Sequence, residues 1–252
     1  MSQYLNIGII RISSYGLFMT VGVFLCAYII FLRAKNKGIK SEEIIIVMAT
    51  TIGSALFGAG ILYTFISYSI KELLSLVLNG NFTVFLNGGL VFYGGLIGGI
   101  LGALISTKIQ NLNETIVETS IVPILPLGHA IGRVGCLFAG CCHGFEYDGI
   151  FAVKNLLLSQ EKTYFPIQLV ESGINIVIML FLLRYSRKNH KPYNILCVYL
   201  ILYSICRFVL EFFRGDLIRG VFFMLSTSQW ISILIFCAAY LFCKLKNGIV
   251  KV

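Results

Sequence analysis

Charged side chains are scarce in this chain. Asp, Glu, Lys and Arg make up 12% of its 252 residues, about half the roughly one-quarter share of a water-soluble domain. That shortage excludes a soluble globular fold, because too few polar groups are left to cover its surface. Lipid must be the solvent for much of the chain. No internal repeat and no low-complexity segment stands out, so one polytopic domain over residues 1–252 is expected. A cleavable leader is not expected: the first apolar run follows a single basic residue, Arg11, and lacks a small-residue cleavage site.

Apolar residues fill the gap. They reach 58% of the chain, with a mean hydropathy of +0.88. A membrane-spanning helix needs about 20 of them in a row. Such runs lie at 14–33, 44–69, 88–106, 115–132, 166–184, 194–213 and 228–243, and predict an all-α integral membrane protein with about seven transmembrane helices. In the third run Gly95 and Gly99, then Gly98 and Gly102, repeat at the spacing that lets helix backbones approach closely in lipid. The fourth carries Pro123 and Pro126, which should kink it or make it partly re-entrant. Segment 70–87 reads as an amphipathic outer loop, and 145–165 as a polar one.

The net charge of +9 does not point to nucleic acid, because the basic residues sit in short clusters between apolar runs. That is how membrane orientation is encoded. Arg33, Lys35, Lys37, Lys40, Lys108, Arg184, Arg187, Lys188, Lys191, Lys244, Lys246 and Lys251 fall on one side, twelve of the 20 basic residues. Arg11, Lys71, Lys154, Lys162 and Arg219 fall on the other. The N-terminus is therefore expected outside and the C-terminus in the cytoplasm.

With that orientation the unusual polar residues gather at one depth. Tyr203, Arg207 and Glu211 follow one another at i, i+4 and i+8, on one face of the sixth run, with Arg214 and Asp216 beyond. An ionised Arg or Glu at mid-membrane costs roughly 2.5–3.5 kcal/mol on insertion scales, so such residues face the protein interior. Two readings follow: an Arg207–Glu211 ion pair that holds helices together, or a site. The fourth run ends in HAIGRVGCLFAGCCHG (129–144), with Arg133 among glycines. The fifth begins FPIQLVES, so Gln168 and Glu171 enter from the same side, where Tyr15 and Tyr93 open the first and third runs. Two or three arginines at a lipid interface match phosphate oxygens in a bidentate fork.

Five of the eight cysteines, Cys26, Cys197, Cys206, Cys237 and Cys243, lie in apolar runs, where a cysteine is a small hydrophobe. Cys136, Cys141, Cys142 and His143 cluster within eight residues. Reduced thiols packed against the lipid site, a disulfide and a zinc site are the three readings. The adjacent Cys141–Cys142 pair lacks the usual zinc-ligand spacing. His129, one turn before Arg133, either orients it or packs; His190 sits in a basic loop.

Six segments together carry a resemblance: SYGLFMTVG (14–22), GGLVFYGGLIGG (88–99), GRVGCLFAGCCHG (132–144), FPIQLVE (165–171), YSICRFVLEFFRGD (203–216) and SQWIS (228–232). In that order the chain resembles the prolipoprotein diacylglyceryl transferases, seven-helix bacterial enzymes. The resemblance implies transfer of the diacylglyceryl group of phosphatidylglycerol to the lipobox cysteine in a prolipoprotein signal peptide. It places that reaction at the outer face of the cell membrane, with no cofactor, no metal and no nucleic acid. It implies catalytic roles for Tyr93, Arg207 and Glu211. It implies phospholipid binding by Tyr15, Arg133, Gly144, Gln168, Glu171, Tyr203 and Arg214. The chain departs from the family where Tyr93 stands for a usual histidine, Phe165 for another, and Cys136, Ala139 and Cys141 for two asparagines and a glutamate. Tyr93, Glu211 and His143 are candidates for the base that deprotonates the acceptor thiol. A related transferase with another acceptor, and a non-enzymatic lipid carrier, are the alternatives.

The charge asymmetry makes the topology testable. Reporter fusions at residue 190 and at the C-terminus should both read cytoplasmic. A reading on the opposite side at either point would break the expected span count.

Overall fold

Apolar runs with no polar backbone partner in lipid must satisfy their amides internally, and helices do this. The computed structural model describes residues 4–7, 10–69, 72, 75, 92–154, 162–188, 191–215 and 221–248. Among them six helical segments are long and apolar enough to cross a membrane, and a shorter apolar helix runs over Gly94–Ile109. The expected all-α membrane architecture is therefore present. The amphipathic character assigned to 70–87 falls almost entirely outside the described residues, as do His190 and Asp216.

The helices are α1 (Ser14–Asn36), α2 (Ser41–Ser67), α3 (Phe92–Ile109), α4 (Glu114–Ile121), α5 (Leu125–Phe138), α6 (Ile167–Tyr185), α7 (Asn194–Leu210) and α8 (Thr227–Gly248). A hairpin of Tyr4–Ile7 and Ile10–Ser13 precedes α1. The fourth run expected from sequence is α4 and α5, joined by a 3₁₀ turn at Val122–Ile124. Pro123 and Pro126 account for that break, because each removes an amide donor from the helix ladder. The segment continues to Phe138 instead of stopping near 132.

The chain divides into two compact units. One, residues 31–117, is built on α2 against α3. A Cβ added at Gly98 would lie 2.2 Å from the Ser54 carbonyl oxygen, and one at Gly94 would lie 2.3 Å from that of Gly58. The stripe Gly94–Gly98–Gly102 thus forms the contact of closest backbone approach. Gly95 and Gly99 meet Ala55 and Ala59 at ordinary distances.

The other unit comprises residues 1–30 and 118–252. Val122, Ile178, Leu182, Ile195 and Tyr199 form its buried centre. Glu118 of α4 is buried, and its carboxylate accepts from the amides of Tyr193 and Leu196 at 2.6 and 2.8 Å. A carboxylate there satisfies amides that α7 leaves without helical partners. His129 of α5 meets the Tyr199 hydroxyl of α7 at 3.2 Å, and its ring lies 5.0 Å from that of Tyr203. Ile131 fits against Gly22 of α1. These contacts fix α5, α6 and α7 so that their polar faces meet.

Gly98→Leu should overpack the α2–α3 contact and cost about 1–3 kcal/mol, read as a lowered Tm in detergent. Gly53→Ala, where an added Cβ meets nothing within 4 Å, should leave Tm unchanged or raise it.

Candidate functional site

The polar stripe of α7 meets the first turn of α6 and the third turn of α5. Glu171 of α6 is 3% exposed and is the group on which the arginines converge. Its Oε1 accepts from Arg207 Nη1 at 2.9 Å. Its Oε2 lies 2.5 Å from Arg133 Nε. Arg214 Nη1 comes within 4.0 Å of Oε1. Arg207 turns its other nitrogen, Nη2, to Glu211 Oε2 at 2.6 Å and donates to Ser228 Oγ at 3.3 Å. Arg207 and Glu211 do pair, and they do so inside a larger ion-pair cluster that joins α5, α6 and α7.

The charge count is uneven. Arg133, Arg207 and Arg214 bring three positive charges, and Glu171 and Glu211 bring two negative ones. Within these five groups the guanidiniums outnumber the carboxylates by one. The Arg133 side chain is 22% exposed, against 8% for Arg207 and 3% for Arg214. Arg133 is thus the most exposed of the three guanidiniums.

Loop segments close around this cluster. The Gly144 amide donates to the Phe165 carbonyl at 3.2 Å, and the Gly215 amide to the His143 carbonyl at 3.2 Å. Gly144 and Arg214 pair as an isolated antiparallel bridge. A Cβ at Gly144 would lie 2.5 Å from the Phe165 carbonyl oxygen. This glycine therefore makes room for the protein's own backbone and, in doing so, fixes Arg214. Gln168 donates from Nε2 to the Cys141 carbonyl at 2.8 Å, tying α6 to the turn after α5. His143 donates from Nδ1 to the Gly144 carbonyl at 2.9 Å and packs on Tyr164.

Tyr15, at the start of α1, is 42% exposed. It is close enough to Arg133 and to Cys136, Cys141 and Cys142 to interact with them electrostatically. Arg133 interacts likewise with Tyr203. Hydrogen bonds from the Cys136 and Cys141 thiols, with the Arg214 guanidinium beside them, hold the Cys142 thiol below its ordinary range. No disulfide joins these cysteines. So Tyr15, Arg133, Gly144, Gln168, Glu171, Tyr203, Arg207, Glu211 and Arg214 come together around one cluster. Tyr93 lies in the first turn of α3, in the other unit, and its side chain is outside the described residues.

Two members of the network had no role assigned from sequence. Ser226 accepts from the Gln229 amide at 3.2 Å, while its own amide donates to Gln229 Oε1 at 2.8 Å. This is a capping box at the start of α8, and S-x-x-Q before an apolar run was its signal. The same hydroxyl donates to Glu211 Oε1 at 2.9 Å. Ser228, which meets Arg207, carried no comparable signal.

A family model described as prolipoprotein diacylglyceryl transferase matches residues 2–244. The chain is 35% identical over 231 residues to a phosphatidylglycerol–prolipoprotein diacylglyceryl transferase 2 of Clostridium perfringens (strain 13 / Type A), covering 90% of this chain and 88% of the relative. It is 33% identical over 245 residues to the phosphatidylglycerol–prolipoprotein diacylglyceryl transferase of Clostridioides difficile (strain 630), covering 95% of each. It is 30% identical over 227 residues to that of Clostridium tetani (strain Massachusetts / E88), covering 89% of each.

The geometry separates two arginines. Arg207→Ala leaves Glu171 and Glu211 buried without their shared partner and should destabilise the protein by about 3–5 kcal/mol. Arg133→Ala leaves Glu171 still bound to Arg207 and should cost distinctly less. Equilibrium unfolding of both variants in detergent checks the order.

Proposed function

Because the chain belongs to the prolipoprotein diacylglyceryl transferase family, we propose that it transfers the diacylglyceryl group of phosphatidylglycerol to the lipobox cysteine of a prolipoprotein signal peptide, at the outer face of the membrane it spans. The observation that carries this reading is the buried cluster of three guanidiniums and two carboxylates, in which Arg133 is the most exposed guanidinium. A phosphodiester anion fits the charge of that group, and guanidinium matches its oxygens in a fork.

The reaction forms one C–S bond and breaks one C–O bond. The acceptor thiolate attacks the glycerol carbon that carries the phosphate, and glycerol 1-phosphate leaves with the electron pair of the broken bond. Arg133, backed by Arg214, neutralises the charge that gathers on the leaving phosphate, which is electrostatic stabilisation in a water-poor site. Arg207 positions Glu171 and Glu211. Glu211 Oε1 meets a rotatable serine hydroxyl, which can turn away, and this oxygen is the proposed acceptor of the thiol proton. Tyr15, Gln168 and Tyr203 are assigned to phospholipid binding. Tyr93 is proposed as a hydrogen-bond donor and not as the base, since a phenol with a pKa near 10 is protonated at neutral pH.

Transfer from phosphatidylglycerol to a lipobox peptide, measured in proteoliposomes, tests the assignment. Arg133→Ala should lose about 10²–10³-fold in rate, the loss seen when one stabilising donor is removed. Arg133→Lys should recover little of it, because a point charge lacks the fork. Glu211→Gln should lose turnover while phosphatidylglycerol binding persists. Unchanged transfer in Arg133→Ala would remove the phosphate site. Failure of the wild-type protein on this acceptor, with phospholipid turnover retained on another thiol or hydroxyl, would favour the related transferase with a different acceptor.

A further inference from the structure

The thiols of Cys136, Cys141 and Cys142 take no part in that reaction, and they lie within 4.8 Å of one another. Among the described residues no other group of three side chains with metal-ligating atoms converges in this way. The backbone is shaped to bring them together. Cys136 lies in the last turn of α5, and the Cys141 amide donates to its carbonyl at 3.1 Å. Gly140, at φ 68, and Cys142, at φ 58, then turn the chain back. For a residue with a Cβ the left-handed conformation costs about 1–2 kcal/mol, and here it places the third thiol beside the other two. Cys136 is buried, Cys142 half-buried and Cys141 exposed, so the cluster has a closed floor and an open mouth.

We propose that Cys136, Cys141 and Cys142 form a trigonal all-sulfur site for a thiophilic d¹⁰ metal ion, Zn(II) or Cu(I), at the C-terminal end of α5. Metal–sulfur bonds of about 2.3 Å set the sulfurs of a planar three-coordinate site about 4 Å apart, so the thiols need to close by less than an ångström. The donor set contains sulfur alone, which selects soft ions over magnesium or calcium. The three sulfurs bind as thiolates, and the protons that their thiols still carry are released to solvent. A divalent ion then leaves the complex with one net negative charge, and a monovalent ion with two. Arg214 beside Cys142 and Arg133 near Cys136 and Cys142 offset that charge. Those two guanidiniums would repel a bare cation at neutral ligands, but they suit an anionic tris-thiolate complex.

The test uses the full-length protein, isolated anaerobically in detergent, reduced and stripped of metal with a chelator. Cd(II), a spectroscopic stand-in for zinc, is titrated in, and the thiolate-to-metal charge-transfer absorption is followed. Zn(II) affinity is then measured by competition with a chromophoric chelator. One ion per chain is expected. Cys141→Ser and Cys142→Ser should each weaken binding by roughly tenfold or more, while Cys237→Ser binds as wild type. Cys141 is exposed, so its serine variant isolates ligand loss from misfolding. An absent absorption band in the reduced protein would overturn the proposal, as would wild-type affinity in both serine variants. So would a disulfide between any two of the three cysteines in the anaerobically isolated protein.

Discussion

One carboxylate organises the polar interior of this membrane protein. Glu171 sits on α6 and engages Arg133 of α5 and Arg207 of α7 with separate oxygens, and Arg214 approaches the second of these. Each guanidinium alone would cost roughly 2.5–3.5 kcal/mol in the middle of a bilayer. Gathered on one acidic group, with Glu211 behind, they are compensated by carboxylates that could not be buried alone. The same ion pairs pin three helices at one depth, so binding and packing cannot be separated there.

Gly144 shows how tightly the loops are drawn onto the cluster. Its missing side chain admits the Phe165 carbonyl, and the Gly144–Arg214 bridge fixes the last arginine from its backbone. Arg214 then faces two neighbours that share its positive charge, the Glu171 carboxylate and the Cys142 thiol. An anion cluster and a sulfur cluster sharing one guanidinium are electrostatically linked, because charge gained on either side is felt by the other.

Much of this was legible in the sequence wherever a helical period did the placing. Tyr203, Arg207 and Glu211 at i, i+4 and i+8 had to share a face. Pro123 and Pro126 had to interrupt a helix, and the Gly98–Gly102 spacing had to mark a close contact. What was not legible depends on groups distant in the chain. Glu171 was readable as a site residue entering the membrane, but not as the meeting point of three arginines, which needs the packing of α5, α6 and α7 together. Glu118 has no local pattern that marks its role, and only the position of Tyr193 and Leu196 makes it a cap for α7. Ser228 has no local pattern at all.

A double-mutant cycle between Glu171→Gln and Arg133→Ala tests the organising role of that carboxylate most directly. Stability in detergent and transfer rate are measured for the wild type, both single variants and the double. Residues in one ion-pair network couple by about 0.5–3 kcal/mol, so the double variant should be little worse than the more damaged single one in both measurements. Losses that simply add would mean that Glu171 and Arg133 act independently, and would contradict the view that one carboxylate assembles the site.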